Sequence, residues 1–331
     1  MTVLAELKPL VGRLAKLPPT AIVALAAVVF VGTLAVMSAI AGWHSVVDQL
    51  RPNLSFWFAA AFAAEAVSFG AYVFAYRGIA HIEHGPQLTL REAAQLVAVG
   101  FGAFLAKGGA ALDSKALARG RESKEEGEIR VLALDALEHA PLAPAACAAS
   151  ISLLVQGRRK PPLDFTIPWA TLVPLGALLA FFGVRHRQRF LGQAGWRGLL
   201  GRILEGIRIL FRLAREWRRH WPAFAGAAIY WLGDVLCLWA SLKPFDAAPT
   251  FEPIILAHAV GYVLTRRTLP LAGSGVVEAV MPLTLVAAGA PFAGAILGVI
   301  TYRVFNLWLP LIPAVLELNG ARRTLARIAQ S

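Results

Sequence analysis

The sequence predicts an all-α membrane protein that crosses a bilayer several times, and two observations carry that reading. Of 331 residues, 57% are hydrophobic and only 16% charged, more apolar and less charged than a soluble domain. The apolar residues also fall in unbroken blocks rather than at the spacing of a helix half-exposed to water. The chain reads as one transmembrane domain over 1–331, with no part polar and long enough to form a separate soluble unit.

Six blocks read as spans. Residues 21–41 carry no charge over 21 positions. At a rise of about 1.5 Å per residue that length matches a hydrocarbon core about 30 Å thick. Residues 54–76, 129–155, 165–184, 221–242 and 292–316 follow the same logic, each with few or no ionisable groups. Lys8, Arg13 and Lys16 precede the first block, as in a signal peptide, but its apolar core is too long for one. The two cysteines, Cys147 and Cys237, lie inside spans and suggest neither a disulfide framework nor a metal site.

Two further apolar stretches, 93–112 and 253–290, are interrupted by glycine or proline with charge beside the break. The first break is Lys107-Gly108-Gly109; the second runs over 266–275. Irregular backbone at membrane depth survives only where protein or a wet cavity satisfies its polar groups, so both read as re-entrant hairpins lining a cavity. With the basic N-terminus in the cytoplasm the positive-inside rule is obeyed except at Arg158-Arg159-Lys160. That path puts both termini on the cytoplasmic side of the cell inner membrane. Each half, 20–157 and 163–317, then comprises two helices, a broken hairpin and a further helix, the second half inverted relative to the first.

Residues 185–220 hold ten arginines against two glutamates, two thirds of the net charge of +12. Trp196, Leu199, Leu200, Ile203, Ile207 and Leu210 share one helical face, with Arg202, Arg208, Arg212, Arg215 and Arg219 opposite. The segment is expected to lie flat on the cytoplasmic leaflet, as an anchor more than a sensor of lipid headgroups. No nucleic-acid-binding motif accompanies it, so nucleic acid is not an expected partner. Residues 113–130, with five basic and five acidic side chains, read as a solvated connector.

Ionisable side chains inside a bilayer are costly and need partners. Glu65, Asp135, Glu138, His139, Asp234, His258, Arg266, Arg267, Glu278 and Arg303 fall in the spans and hairpins, with Lys107 beside the first break. Apart from His258, which reads as a packed histidine, they are the candidates for a polar translocation path. Asp135, Glu138 and His139 stand at i, i+3 and i+4 of one helix and share a face. Pairing with Arg303 or Arg266 suits them better than a metal, because a second helix with matching ligands is missing. No metal and no cofactor is expected.

The second hairpin is the most informative stretch. Arg266 and Arg267 precede its break, and Glu278 follows just inside the next half-helix, whose N-terminus offers N–H groups and a positive dipole. A lipid phosphate suits Arg266, Arg267 and the backbone from Gly273 to Gly275, with Glu278 holding the arginines when the site is empty.

The run from Leu269 to Glu278, followed by Gly289, Tyr302-Arg303 and Trp308-Leu309-Pro310, resembles the flippase-like transmembrane family related to the membrane half of lysylphosphatidylglycerol synthase. That family's pattern is Pro-x-Pro-Gly-Gly-x-Gly-x-x-Glu, then a helix with Tyr-Arg and Trp-x-Pro. Leu271 and Ala272 stand here for its second proline and first glycine, and Ser274 holds its variable position. The glycines from Gly100 to Gly120 resemble the family's first hairpin. The resemblance implies lipid movement between leaflets, two hairpins meeting near the midplane, and functional roles for Glu278 and Arg303. No soluble aminoacyl-transferase domain lies in these residues, so lipid synthesis is not expected. The reading is a non-enzymatic translocator of an anionic or phosphate-linked lipid, with membrane lipids as partners and a homo-oligomer left open. The alternatives are an intramembrane enzyme acting on lipid phosphates, whose usual motifs are missing, and a scaffold recruiting partners through the arginine-rich segment.

Overall fold

The computed structural model describes residues 18–50, 56–105, 109–118, 124–156, 163–265 and 270–330. Every regular element among them is a helix. The principal ones are α1 (Pro19–Ala41), α2 (Phe56–Ala80), α3 (Leu90–Leu105), α4 (Gly109–Leu117), α5 (Lys124–Gln156), α6 (Leu163–Arg185), α7 (Gly195–Arg215), α8 (Trp217–Leu242), α9 (Phe251–Thr265), α10 (Val276–Ala287) and α11 (Phe292–Arg303). Six helices among the described residues are long and apolar enough to cross a membrane, at Thr20–Ala41, Phe56–Ala80, Lys124–Gln156, Leu163–Arg185, Trp217–Phe245 and Phe292–Leu316. Each corresponds to a predicted span.

Helices α2 and α8 form the spine. A Cβ added to Gly226 would come within 2.6 Å of the Ala71 carbonyl oxygen, and one on Gly233 within 2.8 Å of that of Ala64. The contacts descend α2 as they ascend α8, so the helices run antiparallel. Small residues let two backbones approach this closely, which is how helices associate where lipid removes the hydrophobic drive between them. Ser68 Oγ, donating to the Tyr230 carbonyl at 2.8 Å, fixes the register. Helix α6 is the opposite case. Thr166 is its one buried residue, and Leu172, Leu175, Leu178, Leu179, Phe181 and Phe182 are exposed, as a lipid-facing surface requires.

In each interrupted stretch the two helices pack against each other, α3 on α4 and α9 on α10. In the first, a Cβ on Gly100 of α3 would lie 3.5 Å from Asp113 Oδ1 and 3.8 Å from Leu112 Cδ2 of α4. In the second, Gly261 of α9 packs on Met281 of α10, and Pro270–Gly273 forms a short 3-10 turn between them.

Two expectations are corrected. The connector over 113–130 is not wholly solvated: Asp113 belongs to α4 and Arg130 to α5, and both are buried. Arg130 is satisfied by the Leu117 carbonyl at 2.9 Å and Glu126 at 2.6 Å. Helix α7 packs on the bundle with a face other than the one expected to meet the leaflet. Gly201, Leu204, Gly206, Ile209 and Leu213 are buried while Trp196 and Leu199 are exposed. The cause is Gly206, where a Cβ would meet Ala133 N at 2.9 Å, so α7 seats its small residues on α5 and leaves its bulky ones outward. The last predicted span, 292–316, is not one α-helix. Pro310 has no N–H to give the Asn306 carbonyl, and the ladder widens to a π turn over Val304–Trp308, with Leu309 N–H bonded to Val304 O at 2.9 Å.

Candidate polar site within the membrane

The break in the second hairpin ends at Gly275, whose φ is +91°, and α10 begins at Val276. A half-helix that starts inside a membrane leaves its first N–H groups without helical partners. Glu278, three residues in, turns back so that Oε2 accepts the Gly275 N–H at 2.6 Å. Its other oxygen accepts from Arg303 Nε at 2.7 Å, and the two side chains are 1% and 3% exposed. The carboxylate thus closes both the helix end and an ion pair to α11. The helix N-terminus that the sequence offered to an external anion is capped at Gly275 by the chain's own acid. Close by, Ser274 Oγ and the indole Nε1 of Trp308 are buried with no hydrogen-bond partner among the described residues.

A second cluster sits one residue along α11. Tyr302 donates its hydroxyl to Asp234 Oδ1 at 3.0 Å, and the Asn306 amide donates to the same oxygen at 2.9 Å and to Glu65 Oε1 at 3.3 Å. His258 Nε2 lies 3.0 Å from Asp234 Oδ2 and 3.2 Å from the Tyr302 hydroxyl. Glu65, Asp234 and His258 are all buried. Tyr302 and Asn306 stand four residues apart on one face of the helix, so one short segment reaches two carboxylates from different helices.

Glu138 forms the third cluster. The hydroxyls of Tyr72 and Tyr262 donate to its two oxygens, and Trp231 Nε1 donates to its backbone carbonyl. Aromatic rings join this group to the second: Trp231 stands edge-on to Tyr262 at 4.2 Å and to His258 at 5.0 Å between centroids. Two helix-breaking prolines, Pro141 and Pro144, follow Glu138 within the next two turns of α5.

The structure therefore brings Glu278 to Arg303, Glu65 to Asp234, and Glu138 to aromatic partners. Glu278 is an ion-pair partner of Arg303 that the sequence had not assigned to it. His139 Nδ1 lies 2.7 Å from the Asp135 carbonyl of its own helix. Arg266, Arg267 and Lys107 lie outside the described residues. Gly273, with φ +68°, and Gly275 hold the left-handed backbone of the break. Among the described residues no group of three or more His, Cys, Asp or Glu side chains is placed to hold a metal ion. Sequence reasoning missed Tyr72, Trp231, Tyr262 and Asn306, which carry no formal charge. A polar residue at span depth was the only sign that marked them.

Outside the spans the charges are arranged around α7. Glu83 accepts from Arg208 at 2.8 Å and Arg212 at 2.7 Å, and Glu205 pairs with Arg187 and Arg208, each at 2.6 Å. Burial works to raise the Glu83 carboxyl, but the two guanidinium groups outweigh it and hold it below the ordinary glutamate range.

The family model described as the lysylphosphatidylglycerol synthase TM region matches residues 21–314. No curated protein matches the chain.

Proposed function

The chain belongs to the family of the lysylphosphatidylglycerol synthase transmembrane region, and from that premise we propose that it moves a lipid, anionic or phosphate-linked, from one leaflet of the membrane to the other. The headgroup passes through the polar interior while the acyl chains stay in the bilayer, and no bond is broken. The two hairpins re-enter from opposite sides in inverted halves and meet near the midplane.

The observation that carries the reading is the buried Glu278–Arg303 pair at the helix break. A buried ion pair is poor value as a structural brace, since apolar residues of like volume often stabilise as well or better. It suits exchange instead. A phosphate arriving at Arg303 takes the place of Glu278, and the donors of Ser274 and Trp308, which have no hydrogen-bond partner among the described residues, add neutral hydrogen bonds. When the lipid leaves, Glu278 returns to the guanidinium. Arg266 and Arg267 contribute to the same anion contact, and protonation of Glu65, Asp234 or Glu278 supplies a route for coupling to a proton gradient.

The test is leaflet exchange in proteoliposomes. Fluorescent phosphatidylglycerol is placed in both leaflets, and the fraction reached by an external quencher is followed in time. Wild-type protein is expected to expose inner-leaflet lipid. Glu278→Gln and Arg303→Met are expected to slow exchange by about tenfold or more, the effect of losing one charged hydrogen bond. Variants as fast as wild type, or wild type no faster than empty liposomes, would refute the proposal.

A further inference from the structure

At the end of the bundle beside α7, the last turns of α2, the loop after it and the first turns of α8 enclose two adjoining cavities of about 250 and 350 Å³. They share His81, Gln87, Arg219 and His220, so they form one groove. Its acids are already engaged. Glu83 is held by Arg208 and Arg212, and Glu216 lies 3.6 Å from Arg212 and 3.7 Å from His220. Its remaining cations are not. Arg77 gives Nε to the Leu88 carbonyl at 2.9 Å, and among the described residues neither Arg77 nor Arg219 has an acidic side chain within 4.0 Å. The groove therefore presents two guanidinium groups with spare donors.

Its surroundings identify the occupant. Phe74, one turn deeper along α2 than Arg77, is on the groove wall and 44% exposed, and Trp217 and Trp221, outside the groove at the same end of α8, are 59% and 57% exposed. Exposed tryptophan at the end of a spanning helix marks the headgroup level of a bilayer. A cationic groove at that level with an apolar outer wall fits an amphiphile whose charged part faces in and whose chains face out.

We propose that this groove seats the phosphate of an anionic lipid in the adjoining leaflet, held by Arg77 and Arg219, with the acyl chains lying over Phe74. The site is separate from the Glu278–Arg303 pair. It gives the arginine-rich end of the protein a stoichiometric lipid contact rather than a diffuse attraction to charge.

Native mass spectrometry of detergent-purified protein titrated with phosphatidylglycerol or phosphatidylcholine tests it. Wild type is expected to retain one phosphatidylglycerol in preference to phosphatidylcholine. Each arginine removed is expected to weaken that binding about fivefold, the equivalent of about 1 kcal/mol per basic residue at an anionic surface. Arg77→Gln/Arg219→Gln is the full variant. Arg219→Gln alone guards against misfolding, since no described bond of the fold uses that side chain. Undiminished phosphatidylglycerol binding in Arg219→Gln and the double variant overturns the proposal. So does displacement of the lipid by inorganic phosphate at equal concentration, which would make this a soluble-anion site. Glu278→Gln is expected to keep the bound lipid, so failure here and failure of translocation are read separately.

Discussion

Removing Arg303 and Glu278 singly and together separates a paired buried charge from two independent ones. In the native protein Glu278 accepts two hydrogen bonds, from Gly275 N–H at 2.6 Å and Arg303 Nε at 2.7 Å, with the side chains 1% and 3% exposed. Arg303→Met keeps the aliphatic volume but leaves a carboxylate with one described donor at membrane depth. Breaking a buried pair from one side costs about 3–5 kcal/mol. Glu278→Gln retains an oxygen for Gly275 yet removes the negative charge paired with the guanidinium, and its cost falls in the same range of about 3–5 kcal/mol. The double variant has no stranded charge. Its loss should therefore fall short of the sum of the singles by about 2 kcal/mol or more, within the usual range for directly coupled residues. Reversible unfolding of the four proteins in mixed micelles, titrated with a denaturing detergent, measures each term. Additivity to within about 0.5 kcal/mol would show that the two groups do not depend on each other and would refute the argument.

Two further outcomes follow from the other clusters. Asn306→Leu removes the amide that donates to both Asp234 and Glu65, and the protein is expected to lose about 1–3 kcal/mol in the same unfolding measurement; a change near zero would mean that the amide is not needed there. At Glu83 the sign follows from a folded carboxyl held below its unfolded value: the stabilisation is present above the ordinary glutamate range and is lost as pH falls through the folded value. The stability difference between wild type and Glu83→Gln should be at most about 1 kcal/mol at neutral pH, given the partial exposure of the site. It should shrink below about pH 4, and a difference that grows on acidification would reverse the assignment.

The spans were legible because length and apolarity are properties of contiguous residues, and the six predicted blocks each correspond to an observed apolar span. The interruption of the second stretch was legible for the same reason, as glycine and proline act locally. The inward face of α7 was not, because Gly206 counts as neutral in any amphipathic pattern while in space it is the point of closest approach to α5. Glu278 and Arg303 were legible as costly residues, but their pairing was not: the sequence set Arg303 against the Asp135, Glu138 and His139 face and Glu278 against Arg266 and Arg267. The aromatic clasp on Glu138 was not, since Tyr72, Trp231 and Tyr262 come from three helices far apart in sequence and read as ordinary membrane aromatics. A periodic pattern reports which face is apolar; it carries no information on which hydroxyl meets which carboxylate across the bundle.

Leu271 sets this chain apart from its family's pattern in a way that can be tested. The position corresponds to a proline in that pattern, yet Leu271 has φ +57°, whereas the proline ring fixes φ near −65°. The two conformations exclude each other, so the break here takes a backbone path that a proline-bearing hairpin does not. What holds the left-handed residue in place is packing: Leu271 is 9% exposed and lies against Ile22 and Ala26 of α1 and Leu307 of the π turn. A left-handed non-glycine residue costs about 1–2 kcal/mol, and burying a leucine returns about as much or more. Leu271→Pro, though it restores the family residue, is therefore expected to destabilise the protein by about 3 kcal/mol or more and to loosen α1 from the hairpin. A Leu271→Pro protein as stable as wild type would show that the backbone at this position is not held left-handed by its contacts, and that the break is free to adopt the family's path.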